Sequence, residues 1–179
     1  MNLIKTLFFI LFSFPGILSA AGSNDVLNLV GSGEVDYLGF IKVYDAALYA
    51  PDGATAEKIQ QAGCSYCLKL KYQVDLSANT FIQAAEKTLA QQWPEEKISM
   101  LRPRIDQLHR AYRDVRKKDS YSLCYEDTNK VMTLALNDNI LTTVYGREFA
   151  ELYAGIWLGK QHPISLSLQK SLFAKLPQR

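Results

Sequence analysis

Cys67-Leu68-Lys69-Leu70-Lys71-Tyr72-Gln73-Val74 is the stretch on which the fold turns. Leu68, Leu70 and Tyr72 fall on one face of an extended chain, and Lys69, Lys71 and Gln73 on the other. That period of two predicts a half-buried strand, with one side on a core and one in water. Upstream, residues 26–35 and 40–50 read as two further strands joined near Tyr37-Leu38-Gly39, followed by a turn at Pro51-Asp52-Gly53. Downstream, residues 121–125 alternate, with Tyr121, Leu123 and Tyr125 on one face. Residues 131–136 and 140–145 flank Asn137-Asp138-Asn139, a hairpin turn.

Helical patterns separate and follow these strands. Residues 54–61 form a short helix ended by Gly63. Ser77 caps a helix that runs to about Trp93, with Phe81, Ala84, Ala85, Thr88 and Leu89 on one side. Pro94-Glu95-Glu96 opens another, because proline suits the first turn and acids suit the helix dipole. Its stripe is Ile98, Leu101, Ile105, Leu108, Tyr112 and Val115, and Pro103 within it is expected to kink or split the helix. Its other face is basic, with seven Lys or Arg and two Asp between Arg102 and Lys118. A solvated face accounts for this charge more simply than a membrane surface does. Residues 147–158 read as a helix stopped by Gly159, and Ser165 caps a last helix over 166–176. The order predicts an α+β fold, a large antiparallel sheet with helices packed on one face.

The chain has 179 residues, enough for one domain with an appended segment. That segment is N-terminal. Lys5, the apolar stretch 7–18 and the small residues Ser19-Ala20-Ala21 form the pattern of a secretory signal peptide. Pro15-Gly16 interrupts the stretch, which is also short for a membrane span. The expected organisation is a signal peptide over 1–21 and one domain over 22–179, exported to the periplasm. No later apolar run is long enough to span a bilayer. The net charge of +2 lacks the basic excess of a nucleic-acid-binding protein.

Export makes one disulfide expected among Cys64, Cys67 and Cys124. Cys67 and Cys124 both fall on the polar side of their strands, so they can bridge if those strands are neighbours. Otherwise Cys64 is the better partner for one of them. The Cys64-x-x-Cys67 spacing precedes a strand rather than opening a helix, which argues against a redox motif. His109 and His162 do not complete a zinc spacing with the cysteines, so no metal is expected. His109, beside Arg110, and His162, in the Lys160–Pro163 turn, read as solvated residues. No nucleophile elbow, zincin helix or phosphate loop is present, and no cofactor is implied. Gly31-Ser32-Gly33 lacks phosphate-holding neighbours and reads as a strand bulge or a close backbone approach.

Lys42-Val43-Tyr44-Asp45-Ala46-Ala47-Leu48-Tyr49-Ala50-Pro51, Leu68-Lys69-Leu70-Lys71-Tyr72, Tyr112-Arg113-Asp114-Val115, Asp119-Ser120-Tyr121, Gly146-Arg147-Glu148-Phe149-Ala150 and Ile156-Trp157-Leu158-Gly159 occur in that order. In order and spacing, over nearly all of the exported part, the chain resembles the bacterial chalcone-isomerase-like proteins. It departs from them at Lys118, where the family usually carries glycine. The resemblance implies an open-faced β-sandwich with a cleft between sheet and helices. In the plant enzymes that cleft closes a flavonoid ring, and in non-catalytic members it holds fatty acids. Both uses rely on an arginine from the first strands. Here no arginine precedes Arg102, and Tyr44 falls where the plant enzymes carry an active-site threonine.

Lys42 and Tyr44 are two apart on one predicted strand, on a shared face with Phe40, Ala46 and Leu48. As candidate ligand-binding residues they would hold an anionic or phenolic head group. The simpler alternative has Lys42 in solvent and Tyr44 in the core. The expected function is non-catalytic binding of a small apolar ligand, a fatty acid or a phenol, or an accessory role. The alternative is an isomerase of the intramolecular-lyase type with an altered residue set. The sequence names no protein partner.

Overall fold

The computed structural model describes residues 26–37 and 41–177. The proposed signal peptide, Phe40 and most of the first turn lie outside these residues. Six strands form one sheet: β1 (Asn28–Tyr37), β2 (Ile41–Ala50), β3 (Tyr66–Tyr72), β4 (Ser120–Glu126), β5 (Val131–Leu136) and β6 (Asn139–Tyr145). They lie in sequence order and every neighbouring pair is antiparallel. Among the described residues five helices, α1 (Ala56–Gln60), α2 (Ala78–Gln92), α3 (Glu95–Ala111), α4 (Arg147–Leu158) and α5 (Leu166–Leu172), accompany the sheet. This is the α+β arrangement expected from the alternating patterns.

The inner face of the sheet carries Ala46, Leu48, Tyr66, Leu68, Leu70, Tyr121, Leu123, Tyr125, Met132 and Leu134, all buried. The outer face carries Asp45, Lys69, Lys71 and Ser122. Helix α4 lies at the centre of the helical layer, touching α1, α2, α3, α5 and β5. Nine of its twelve residues are buried. A helix surrounded this way needs apolar side chains all round, which Phe149, Leu152, Tyr153, Ile156 and Trp157 supply. Ser77 and Ser165 cap α2 and α5 as expected, each accepting a hydrogen bond from a backbone N–H three residues on.

Helix α3 runs through Pro103 without being split there. Pro103 and Ser99, whose carbonyl loses its helical donor, both lie on the exposed side. Water can take that bond, so the freed carbonyl is not left unsatisfied. The helix ends at Ala111, and Val115 instead bridges to Leu76 outside the helix. His109 is buried at 7% exposure, not solvated as expected. It lies four residues after Ile105, which turns it inward beside Tyr112 and Tyr153. Its Nδ1 is 3.5 Å from a Glu86 carboxylate oxygen, and burial lowers its pKa.

Two irregularities shape the β1–β2 pair. The first falls between Leu29 and Gly31, where Val30 is the extra residue. A Cβ on Gly31 would lie 2.2 Å from the Leu172 carbonyl oxygen, so glycine is what lets α5 close onto β1. The glycines were expected to mark a bulge or a close approach, and they mark both. The second irregularity pairs Val35 with Tyr44 and Asp36 with Lys42, leaving Val43 as the extra residue of β2. Further along, Lys118 adopts φ +82°, the left-handed region in which glycine is at ease.

Strands β3 and β4 are neighbours, with Cys67 directly opposite Cys124, and these two form a disulfide. Cys64 is half-buried and lies outside the bridge. The link staples two central strands on the open side of the sheet. Cys124→Ser is expected to lower stability by about 2 kcal/mol, read from denaturant midpoints under non-reducing conditions. Peptide mapping without reductant should recover the Cys67 and Cys124 peptides joined. Recovery of the two as separate peptides would refute the pairing.

Candidate functional site

A cavity of about 440 Å³ lies between the inner face of the sheet and the helical layer. Strand β2 contributes Ile41, Val43 and Tyr44, and β3 contributes Leu70 and Tyr72. Leu123 and Leu134 close the floor, Phe81, Ala84 and Ala85 of α2 form one wall, and Ile156 and Trp157 of α4 form another. Ile41 and Ile164, each 40% exposed, mark the side that meets solvent. The volume is in the range of small-molecule sites. Among the described residues no Asp, Glu, Lys, Arg or His lines it.

The polar side-chain groups of the lining residues are the hydroxyls of Tyr44, Tyr72, Thr80, Tyr112 and Tyr121 and the indole N–H of Trp157. Tyr44 and Tyr72 are directly opposed in the β2–β3 register. Their rings meet edge to face at 5.7 Å. The Tyr44 hydroxyl accepts a hydrogen bond from Trp157 Nε1 at 3.2 Å. Burial pushes its pKa up to about 12, against the opposing effect of that bond. Burial, with the neighbouring tyrosines, also raises Tyr72 well above the ordinary tyrosine value, so both hydroxyls stay protonated donors. Tyr112 and Tyr153 share a hydrogen bond of 3.0 Å. Tyr121 accepts from the Arg113 amide at 2.8 Å and donates to the Arg113 carbonyl at 2.9 Å.

Of the two candidate ligand residues, Tyr44 lines the cavity and Lys42 does not. The extra residue at Val43 is the reason. In a regular strand Lys42 and Tyr44 would share a face. The bulge turns Ile41, Val43 and Tyr44 to the cavity and leaves Lys42 with Asp45 on the outer side. Lys42 Nζ bonds to Glu34 and lies 3.1 Å from Asp45 Oδ1. A contact between residues three apart on a strand is itself a mark of the bulge, since regular alternation would part them. These two acids, Glu34 first, raise the lysine pKa. Trp157 and Tyr72 read in the sequence only as core residues. The available signal was that inward positions of successive strands carry tyrosine, whose hydroxyl needs a partner when buried.

The other cations that could reach a cleft are also engaged. Arg113 Nη1 donates to the carbonyls of Arg110, Ala111 and Tyr112 at 3.0, 3.0 and 2.8 Å. Arg147 Nε donates to the Gln61 carbonyl at 2.9 Å. Arg102 forks onto Glu86 at 2.5 and 3.2 Å. Among the described residues no cluster of His, Cys, Asp and Glu suits a metal ion, and no helix is long and apolar enough to cross a membrane.

Comparison with known proteins agrees with this architecture. No curated protein matches the sequence. Among solved structures, an Arabidopsis thaliana fatty-acid binding protein superposes with a TM-score of 0.63 at 16% identity, covering 90% of this chain and 91% of that one. At that identity the likeness establishes the fold. The family model described as chalcone isomerase-like matches residues 14–174. With that model spanning most of its length, the chain belongs to the chalcone isomerase-like family.

Proposed function

We propose that the protein is an exported, non-catalytic binding protein that holds a small apolar molecule in the cavity between sheet and helices. The observation that carries this reading is a cavity of about 440 Å³ walled by apolar side chains and tyrosines, with no charged side chain among its described lining residues. Such a space favours apolar guests by burial alone. The similar Arabidopsis structure is that of a fatty-acid binding protein, which supports the same use of the fold. The Cys67–Cys124 bridge supports export, because structural disulfides persist in oxidising compartments. Tyr44 is the sequence-derived candidate retained at the site.

An intramolecular lyase would have to stabilise developing negative charge better than water does. A guanidinium does so with directed, permanent charge. Here the cavity wall offers neutral hydroxyls, and the nearest strand lysine is turned away and paired. Purified protein is therefore expected to bind the neutral dye Nile red with a saturable rise in fluorescence, and to leave chalcone closing at its uncatalysed rate. Absence of saturable dye binding, or cyclisation that scales with protein concentration, would overturn the reading. Fractionation with N-terminal sequencing tests export, with a mature start near Ala21 or Gly22 expected.

A further inference from the structure

We infer that the cavity selects an uncharged apolar molecule carrying a hydrogen-bond-accepting oxygen, such as an ester or ketone, held by the hydroxyls of Tyr44 and Tyr72, and that it disfavours a carboxylate. This deepens the ligand-binding reading and rests on it.

The first support is the balance of hydrogen bonds around the cavity. Tyr121 is satisfied in both directions by Arg113, and Tyr112 is paired with Tyr153. The Tyr44 hydroxyl accepts from Trp157, which fixes its oxygen and leaves its proton to give. Tyr72 is 3% exposed and lines the cavity, and its hydroxyl bonds to no other described residue but is not among the fully buried polar atoms without a partner. Hydroxyls with protons to give along a cavity wall are donors that a guest's acceptor oxygen can engage. The β2–β3 register sets Tyr44 and Tyr72 opposite each other, which allows two donors to converge on one oxygen.

The second support is charge. A carboxylate brought among these residues would leave water without meeting a cation. Lys42 is on the outer face with Glu34 and Asp45. Arg113 and Arg147 are spent on backbone carbonyls. Leu38, Gly39 and Phe40, which lie between β1 and β2 outside the described set, carry no ionisable side chain. A neutral acceptor oxygen avoids this penalty and still uses both hydroxyls.

The test uses the full exported chain loaded with Nile red at pH 8 and displaced by ten-carbon competitors. Methyl decanoate is expected to displace the dye about tenfold more effectively than decanoate, the scale of one net hydrogen bond. In the Tyr44→Phe/Tyr72→Phe variant, methyl decanoate should weaken by about tenfold while decane displaces as before. Decane is the internal control, since its unchanged displacement shows an intact cavity. Should the double variant not fold, Tyr72→Phe alone, checked by thermal unfolding, carries the same comparison. Decanoate matching or exceeding the ester, or an ester indifferent to both hydroxyls, overturns this inference and leaves apolar binding standing. Failure of every compound and of the dye to bind overturns the binding reading itself.

Discussion

Phe149→Ala is expected to destabilise the protein by about 3–5 kcal/mol, the cost of emptying an aromatic site in a close-packed core. Phe149 has no exposed surface and opens the helix around which the helical layer is arranged. Its ring stacks on Tyr153 at 5.5 Å, and Tyr153 is hydrogen-bonded to Tyr112. Loss of the ring therefore loosens the start of α4 and the tyrosines behind the cavity wall together. Against a typical total stability of about 5–15 kcal/mol, this is a large share. Guanidinium unfolding of the full chain with the disulfide intact measures it. A change below about 1 kcal/mol would show that α4 does not anchor the core.

Ala85→Phe is expected to have the opposite signature, a lost ligand site in a sound fold. Ala85 is 4% exposed and faces the cavity from α2. A benzyl group there occupies space that the fold leaves open. It should avoid most of the 1–3 kcal/mol penalty that overpacking costs in a filled core. Excluding about four methylenes of a bound chain forfeits roughly 3 kcal/mol at ~0.8 kcal/mol each. That corresponds to a loss of more than about a hundredfold in affinity for an apolar guest. Nile red titration reads the affinity and thermal unfolding reads the fold. Undiminished dye binding with an unchanged melting temperature would place the guest elsewhere.

Much of the fold was legible because alternation at Leu68, Leu70 and Tyr72 against Lys69 and Lys71 assigns both faces of a central strand at once. The same parity in Tyr121, Leu123 and Tyr125 placed Cys124 on the outer side, so the disulfide needed only the strand order to become definite. The cavity was less legible, because an apolar wall and a packed core draw on the same residues. Leu70, Phe81 and Trp157 would look alike in either role. His109 was misjudged from its charged neighbour Arg110, when its distance from Ile105 along the helix was the better guide. The bulge in β2 carries no glycine or proline to announce it. Its trace is a change of parity: Ile41 and Val43 are apolar at odd positions, then Tyr44, Ala46, Leu48 and Ala50 face inward at even ones.

That change of parity works like a reading frame. Upstream of Val43 the strand is read in one phase and downstream in the other, and the residue letters alone do not say which side chains the cavity receives. Removing Val43 would restore one phase throughout and leave Lys42 on the outer face, next in line to an inward Tyr44. What the chamber receives is thus set by the count of residues in one strand as much as by their kinds. The extra residue is what lets two consecutive side chains, Val43 and Tyr44, line the chamber while Lys42 stays outside it.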